Sequence, residues 1–156
     1  MDFKIADNPV RGNLSPEDLK FFYYDVAKLS ELGLLIECSN DKLYEIARDI
    51  GIVLKPIQQQ TFSFNKYIPA ENEIIFTYLT NRGKKELLYQ TALLRHLRNS
   101  FSHYRTIYAE GDRFLKIEDS LYGGHTMKGF VDVEKLKDFI FKQIDYSEEQ
   151  ILLHTK

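Results

Sequence analysis

The stretch LLRHLRNSFSHYR, Leu93 to Arg105, decides how the rest of the chain is read. Placed at 100° per residue, Leu94, Leu97, Phe101, Tyr104 and Tyr108 fall on one narrow arc, the spacing of a helix with a buried seam. Arg95, Arg98, Ser102 and Arg105 then form a ridge on the other side, and His96, Asn99 and His103 an adjoining stripe. Solvated helix faces usually interleave acids with bases for mutual screening. Leu93 to Arg105 holds no acid at all, so its cations repel one another unless an anion such as phosphate compensates.

Working outward, this helix extends over the longest helical pattern in the chain, from Glu73 or Asn81 to about Tyr108, with a break near Gly83. Before it, NLSPEDLKFFYYDVAKLSELGLLI predicts a helix with Ser15 at the N-cap, Pro16 at the first position and Glu17 and Asp18 in the first turn. It should stop near Gly33, and Leu19, Phe22, Tyr23, Val26 and Leu29 supply its core stripe. A second helix is expected over NDKLYEIARDIGIVL, capped by Asn40 or Asp41, burying Leu43, Ile46, Ala47 and Ile50 and ended by Pro56. Residues 56–72 read as a loop with a short extended piece at Thr61 to Phe64.

After Ala109 the texture changes. RFLKIED and HTMKGFVDV, separated by YGGH, predict a small β-hairpin. An amphipathic helix beginning at Asp132 or Val133 follows, with Leu136, Phe139, Ile140, Gln143 and Ile144 on one face and a last turn capped by Ser147. The expectation is one domain over residues 1–156: mainly α, a helical bundle with a small β-hairpin before the last long helix.

Composition bounds the function classes. A formal net charge of −2 excludes a globally basic nucleic-acid binder, so any such contact must come from a local patch. The single cysteine, Cys38, cannot form an intrachain disulfide and sits among apolar neighbours, which favours a reducing compartment. No signal-peptide run and no stretch of about eighteen apolar residues occurs. A cytoplasmic, soluble protein without membrane contact is expected.

Metal chemistry finds no support. His96 and His103 share a face, but seven residues separate them by roughly 10 Å, too far for one ion. There is no HExxH, no cysteine pair and no acidic cluster near them. A Ser/His/Asp triad is equally unsupported, because Ser100 and Ser102 lie within the helix, and GGHTMKG lacks the Lys-Ser/Thr pair of a P-loop. His125 and His154 read as surface residues, and no cofactor is expected.

RNSFSH, Arg98 to His103, resembles the RxxxxH signature of the HEPN family (higher eukaryotes and prokaryotes nucleotide-binding), with a polar Asn99 after the arginine and LLRHL leading in. The hairpin and short helix that follow resemble one bacterial and plasmid-borne branch of that family. The resemblance implies a HEPN-like helical bundle and a metal-independent endoribonuclease, two copies of which form one cleft, as in toxin–antitoxin pairs and antiviral defence. It implies a homodimer, RNA as substrate and an antitoxin protein as a further partner, or, as an alternative, a catalytically silent module that binds RNA, nucleotide or a partner protein.

The residue types suit that chemistry. Attack by the ribose 2′-hydroxyl needs a base, an acid for the departing 5′-oxygen and positive charge on the phosphorane. His103 can serve either proton role and Arg98 can clamp two phosphate oxygens. On a regular helix the two lie about 140° apart, so they converge on one phosphate if the helix is distorted or a second chain contributes. Asn99 is the candidate to orient the imidazole or the phosphate. Arg95, Ser102 and Arg105 are candidates for RNA-backbone binding, with the arginines positioning phosphates.

Overall fold

Residues 15–26, 37–58, 64–78, 88–102, 106–108, 113–121 and 124–154 are described by the computed structural model. Ser15 opens the first helix as expected: its hydroxyl accepts from the Asp18 amide at 3.1 Å and Pro16 follows it. Helix α1, Pro16–Lys20, passes directly into a π-helical segment, Phe21–Val26, that buries Phe22 and Val26. The continuation toward Gly33 lies outside the described residues.

Ser39, rather than Asn40 or Asp41, caps α2, Asn40–Ile50, accepting from the Lys42 amide at 3.1 Å. Asn40 is thereby released to accept from the Tyr89 amide at 2.9 Å, tying two helix starts together. Leu43, Ile46 and Ala47 are buried as expected. The helix stops at Gly51, not at Pro56, because Gly51 takes a φ of +97° that costs glycine no Cβ clash. Pro56 instead sits in strand β1, Val53–Ile57, which lies at a sheet edge where a missing N–H is tolerated.

The chain does not form the expected mainly α, HEPN-like bundle. Five strands, β1, β2 (Glu73–Thr77), β3 (Thr106–Tyr108), β4 (Phe114–Leu121) and β5 (Gly124–Asp132), build one mixed sheet in the order β1-β2-β5-β4-β3, with β1 and β2 parallel and the other pairs antiparallel. β2 is Glu73–Thr77, inside what reads as a long helix. Glu73 to Phe76 are all buried, and a strand buried on both faces loses the alternation that separates it from a helix. The helix proper, α3, spans Tyr89–Ser102, and Thr106–Tyr108 forms β3, so Tyr108 is on a strand and not on the helical seam.

The expected hairpin exists as β4, Phe114–Leu121, and β5, Gly124–Asp132. It is no appendage, because β5 and β4 occupy the middle of the sheet. Helix α4, Val133–His154, follows, with Asp132 accepting from the amides of Glu134 and Lys135 at 2.9 and 3.2 Å. Leu136, Phe139, Ile140 and Gln143 are buried as expected, whereas Ser147 starts no separate last turn and is buried within one continuous helix. Among the described residues no helix is long and apolar enough to cross a membrane.

The core lies between one face of the sheet and the helices. Leu54, Ile74, Phe76, Leu115, Ile117, Met127 and Val131 meet Leu43, Leu93, Leu97, Phe101, Leu136 and Phe139 in one buried cluster. Phe22 packs on Phe101 with ring centroids 4.9 Å apart. Parallel neighbours need a crossover of about a dozen residues, and the described part of the connection from β1 to β2, residues 64–72, reaches the outer face. There Phe64–Lys66 forms a 3-10 turn, and the Tyr67 hydroxyl donates to Glu73 while Lys55 reaches both, at 3.2 Å from Tyr67 and 2.7 Å from Glu73. The expected extended piece at Thr61 lies outside the described residues up to residue 63.

Gly129 sits in mid-strand because of what crosses it. It pairs with Ile74 on one side and Ile117 on the other, and a Cβ there would lie 2.7 Å from Ile117 Cγ1 and 3.3 Å from Ile74 Cγ1. Gly129→Ala is therefore expected to lower stability by about 1–3 kcal/mol, the usual cost of overpacking. Urea unfolding of the variant checks this, and an unchanged midpoint would show that the two isoleucines move aside freely.

Candidate active site

On α3 the buried positions are Gln90, Ala92, Leu93, His96, Leu97, Ser100 and Phe101. At 100° per residue they cover about 180° of the helix, twice the width of a narrow seam. The cause is the sheet: a helix lying on β4 and β2 while touching α2 and the π-helical segment is covered from more than one side. The expected seam is thus rotated, and Leu94 is only half-buried. Arg95, Arg98 and Asn99 remain half-exposed on the opposite arc. Ser102 closes the helix with its side chain outside the described residues, and His103, Tyr104 and Arg105 also lie outside them.

His96 does not belong to an exposed polar stripe. It is 1% exposed, with Nδ1 2.7 Å from Asp119 Oδ2 and Nε2 2.7 Å from the Thr77 carbonyl oxygen. The Thr77 carbonyl can only accept, so Nε2 donates to it, while Nδ1 faces the Asp119 carboxylate with the Thr126 hydroxyl 3.5 Å away. Both ring nitrogens are thereby engaged inside the fold. His96 thus welds α3 to β4 and β2.

Asp119, 4% exposed, gathers the rest of the network. Asn99 Nδ2 donates to Oδ2 at 3.3 Å and the Ser120 amide donates to Oδ1 at 2.9 Å. A β-bulge falls between Asp119 and Ser120, a common way for a strand to re-aim a side chain. Burial alone would push the Asp119 carboxyl up, but His96, with Asn99 and the Ser120 amide, outweighs it and holds the group below the usual carboxylate range. One residue on, Ser100 Oγ accepts from the Glu118 amide at 3.3 Å.

The buried thiol of Cys38 is chemically quiet. Burial raises the Cys38 thiol despite a backbone hydrogen bond and Lys42, so the thiolate that would make it a nucleophile is disfavoured. Its amide donates to Gln90, which in turn donates to Gln143 at 2.9 Å. Among the described residues no group of three or more His, Cys, Asp or Glu side chains could hold a metal ion. His154 is exposed at the end of α4, and the side chain of His125 lies outside the described residues.

Acid should loosen this fold. Burial pushes Asp119, Asp132 and Glu73 up, but their partners more than offset it: His96 for Asp119, Arg113 for Asp132, and Lys55 and Tyr67 for Glu73. Groups whose folded pKa is depressed stabilise the native state above their unfolded values and lose that contribution as pH falls through the folded ones. The urea midpoint is therefore expected to decline as pH drops below about 4, the ordinary carboxylate range. Asp119→Asn should make that decline shallower, which midpoints measured from neutral pH downward would reveal.

Sequence reasoning missed Asp119 as the partner of His96, although a signal was present. In FLKIEDS, Leu115, Ile117 and Asp119 share one parity, which puts a carboxylate on the core-facing side of a strand, a position that demands a buried partner. Comparison with family models, with curated proteins and with solved structures finds no match to the chain.

Proposed function

We propose that the chain is a metal-independent endoribonuclease, with Arg98 stabilising the transition-state phosphorane and His103 transferring protons. The observation that carries the reading is the division of α3: His96 is spent inside the fold, while Arg95 and Arg98 stay half-exposed on a run without any acid from Leu93 to Arg105. Asn99, bonded to Asp119, acts as a positioning residue that fixes the last turn of α3 against β4. Arg95, Ser102 and Arg105 serve the RNA backbone.

One chain supplies one His103, and the reaction needs both a base and an acid. A homodimer that joins two His103 side chains answers that need. The test is incubation of the pure chain with single-stranded RNA in excess EDTA. Attack by the 2′-hydroxyl expels the 5′-oxygen and leaves a 2′,3′-cyclic phosphate, so products with that end are expected. Loss of cleavage on adding EDTA, or products with 3′-hydroxyl ends, would overturn the reading.

A second reading, an RNA-binding module without turnover, is favoured by the commitment of Asn99 to Asp119. It predicts affinity for RNA and no product.

A further inference from the structure

The outer face of the sheet carries a cavity that neither the core nor the α3 arginines use. It measures about 410 Å³ and is walled by Tyr67, Ile68 and Pro69 of the crossover on one side. Lys116, Lys128 and Phe130 of the central hairpin lie on the other. That volume is within the range of ligand pockets. We infer that this cavity holds a base of single-stranded RNA, stacked on Phe130, with the flanking phosphates on Lys116 and Lys128.

Three features of the face fit that occupant. Phe130 already stacks on Phe114, with centroids 4.8 Å apart and planes 11° apart. The cavity touches Phe130 but not Phe114, so a planar base entering it continues an existing run of rings. Stacking of this kind accepts every base, because each has a π face. Ile68, 87% exposed, stands at the rim as an apolar contact for the base.

The charge also fits. Lys116 and Phe130 are cross-strand partners, as are Glu118 and Lys128, and Lys128 is held toward the crossover by a 3.3 Å bond to the Tyr67 carbonyl. Glu73, nearby on β2, is neutralised by Lys55 at 2.7 Å. Two lysines thus face one glutamate at the mouth. This gives local positive potential to a chain of net charge −2, where a phosphate backbone would otherwise be repelled. Glu118 supplies an acceptor for an exocyclic amino group.

The inference rests on the RNA reading above, and its test separates the two. Binding of a labelled single-stranded oligoadenylate to the full chain carrying His103→Ala, which blocks turnover, is followed by fluorescence anisotropy. Lys116→Ala and Ile68→Asp, both at exposed positions, are each added to that background, with thermal melting as the folding control. Each is expected to weaken binding about tenfold with unchanged melting. Lys116→Ala should also flatten the slope of log affinity against log salt by about 0.7, the share of one phosphate contact on a single strand.

Unaltered affinity and slope in both variants would overturn the inference, as would absence of oligonucleotide binding by the parent. Displacement by AMP at the same molar concentration would assign the cavity to a free mononucleotide and overturn it too. Cleavage by the unmodified chain together with unaltered binding in the variants leaves the ribonuclease reading standing and the sheet face refuted. Weakened binding in the variants without any cleavage by the unmodified chain does the reverse.

Discussion

Asp119→Ala is expected to cost about 2–4 kcal/mol of stability, because buried donors left without their acceptor cost about 1–3 kcal/mol each. The geometry explains why so much. His96 keeps its bond to the Thr77 carbonyl but its Nδ1 is left facing a void, and Asn99 Nδ2 and the Ser120 amide lose their acceptor. A domain of this size has a total stability of roughly 5–15 kcal/mol, so the variant sits near the edge of folding. Its melting temperature should fall on the order of 10 °C. The double variant His96→Leu with Asp119→Leu is expected to lose less stability than the sum of the His96→Leu and Asp119→Leu losses, because removing both partners of a buried contact leaves neither side chain facing the other's vacancy. Urea unfolding of the four proteins gives the coupling directly. An Asp119→Ala midpoint within experimental error of the parent would mean that the pair does not hold α3 to the sheet.

The same pair shows where the sequence was legible and where it was not. Local chemistry could be read: Ser15 before Pro16, Asp132 before α4, the hairpin around YGGH and the apolar face of α4 all depend on residues within a turn or two of one another. What the hairpin joins could not be read that way. β2 is EIIFT, with Glu73 to Phe76 buried, and the periodicity of that run does not distinguish a sheet interior from a helix. Once β2 is taken for helix, the hairpin lacks a neighbour and becomes an ornament on a bundle. A buried arc on α3 that suits helix neighbours alone leaves His96 outside, whereas the sheet covers it.

The motif on α3 was legible in a different sense. Arg98, Asn99 and His103 were singled out by a resemblance that also implied a helical bundle, and the sheet removes that support. What remains is their chemistry. Asn99 gains a definite partner in Asp119, a contact of sequence separation 20 that no local pattern could announce. Arg95 and Arg98 keep their place on the accessible arc. The sheet-face cavity was invisible for a related reason: it needs Ile68 and Lys128, 60 residues apart in sequence, to be brought together by the crossover.

His103→Ala is expected to lower RNA cleavage by about 10²–10⁴-fold, the usual contribution of one positioned acid or base. Arg98→Ala should lower it by about 10²–10³-fold, as loss of a group that stabilises developing charge does. Arg98→Lys distinguishes a clamp from a mere charge: lysine keeps the positive charge but cannot grip two oxygens in a plane, so little rescue is expected. The dimer adds a further signature. If the acid and the base come from two His103 side chains, specific activity falls on dilution through the dimer dissociation constant, and an excess of the His103→Ala chain poisons the unmodified one. Single-turnover cleavage of a defined oligoribonucleotide in EDTA, at several protein concentrations, measures all of these together. Cleavage that survives both substitutions, or that is indifferent both to dilution and to the excess of inactive chain, would remove His103 from the chemistry or the second chain from the site. The arginine-bearing arc of α3 would then act by holding RNA, which returns the molecule to a binding module with its sheet face as the second point of contact.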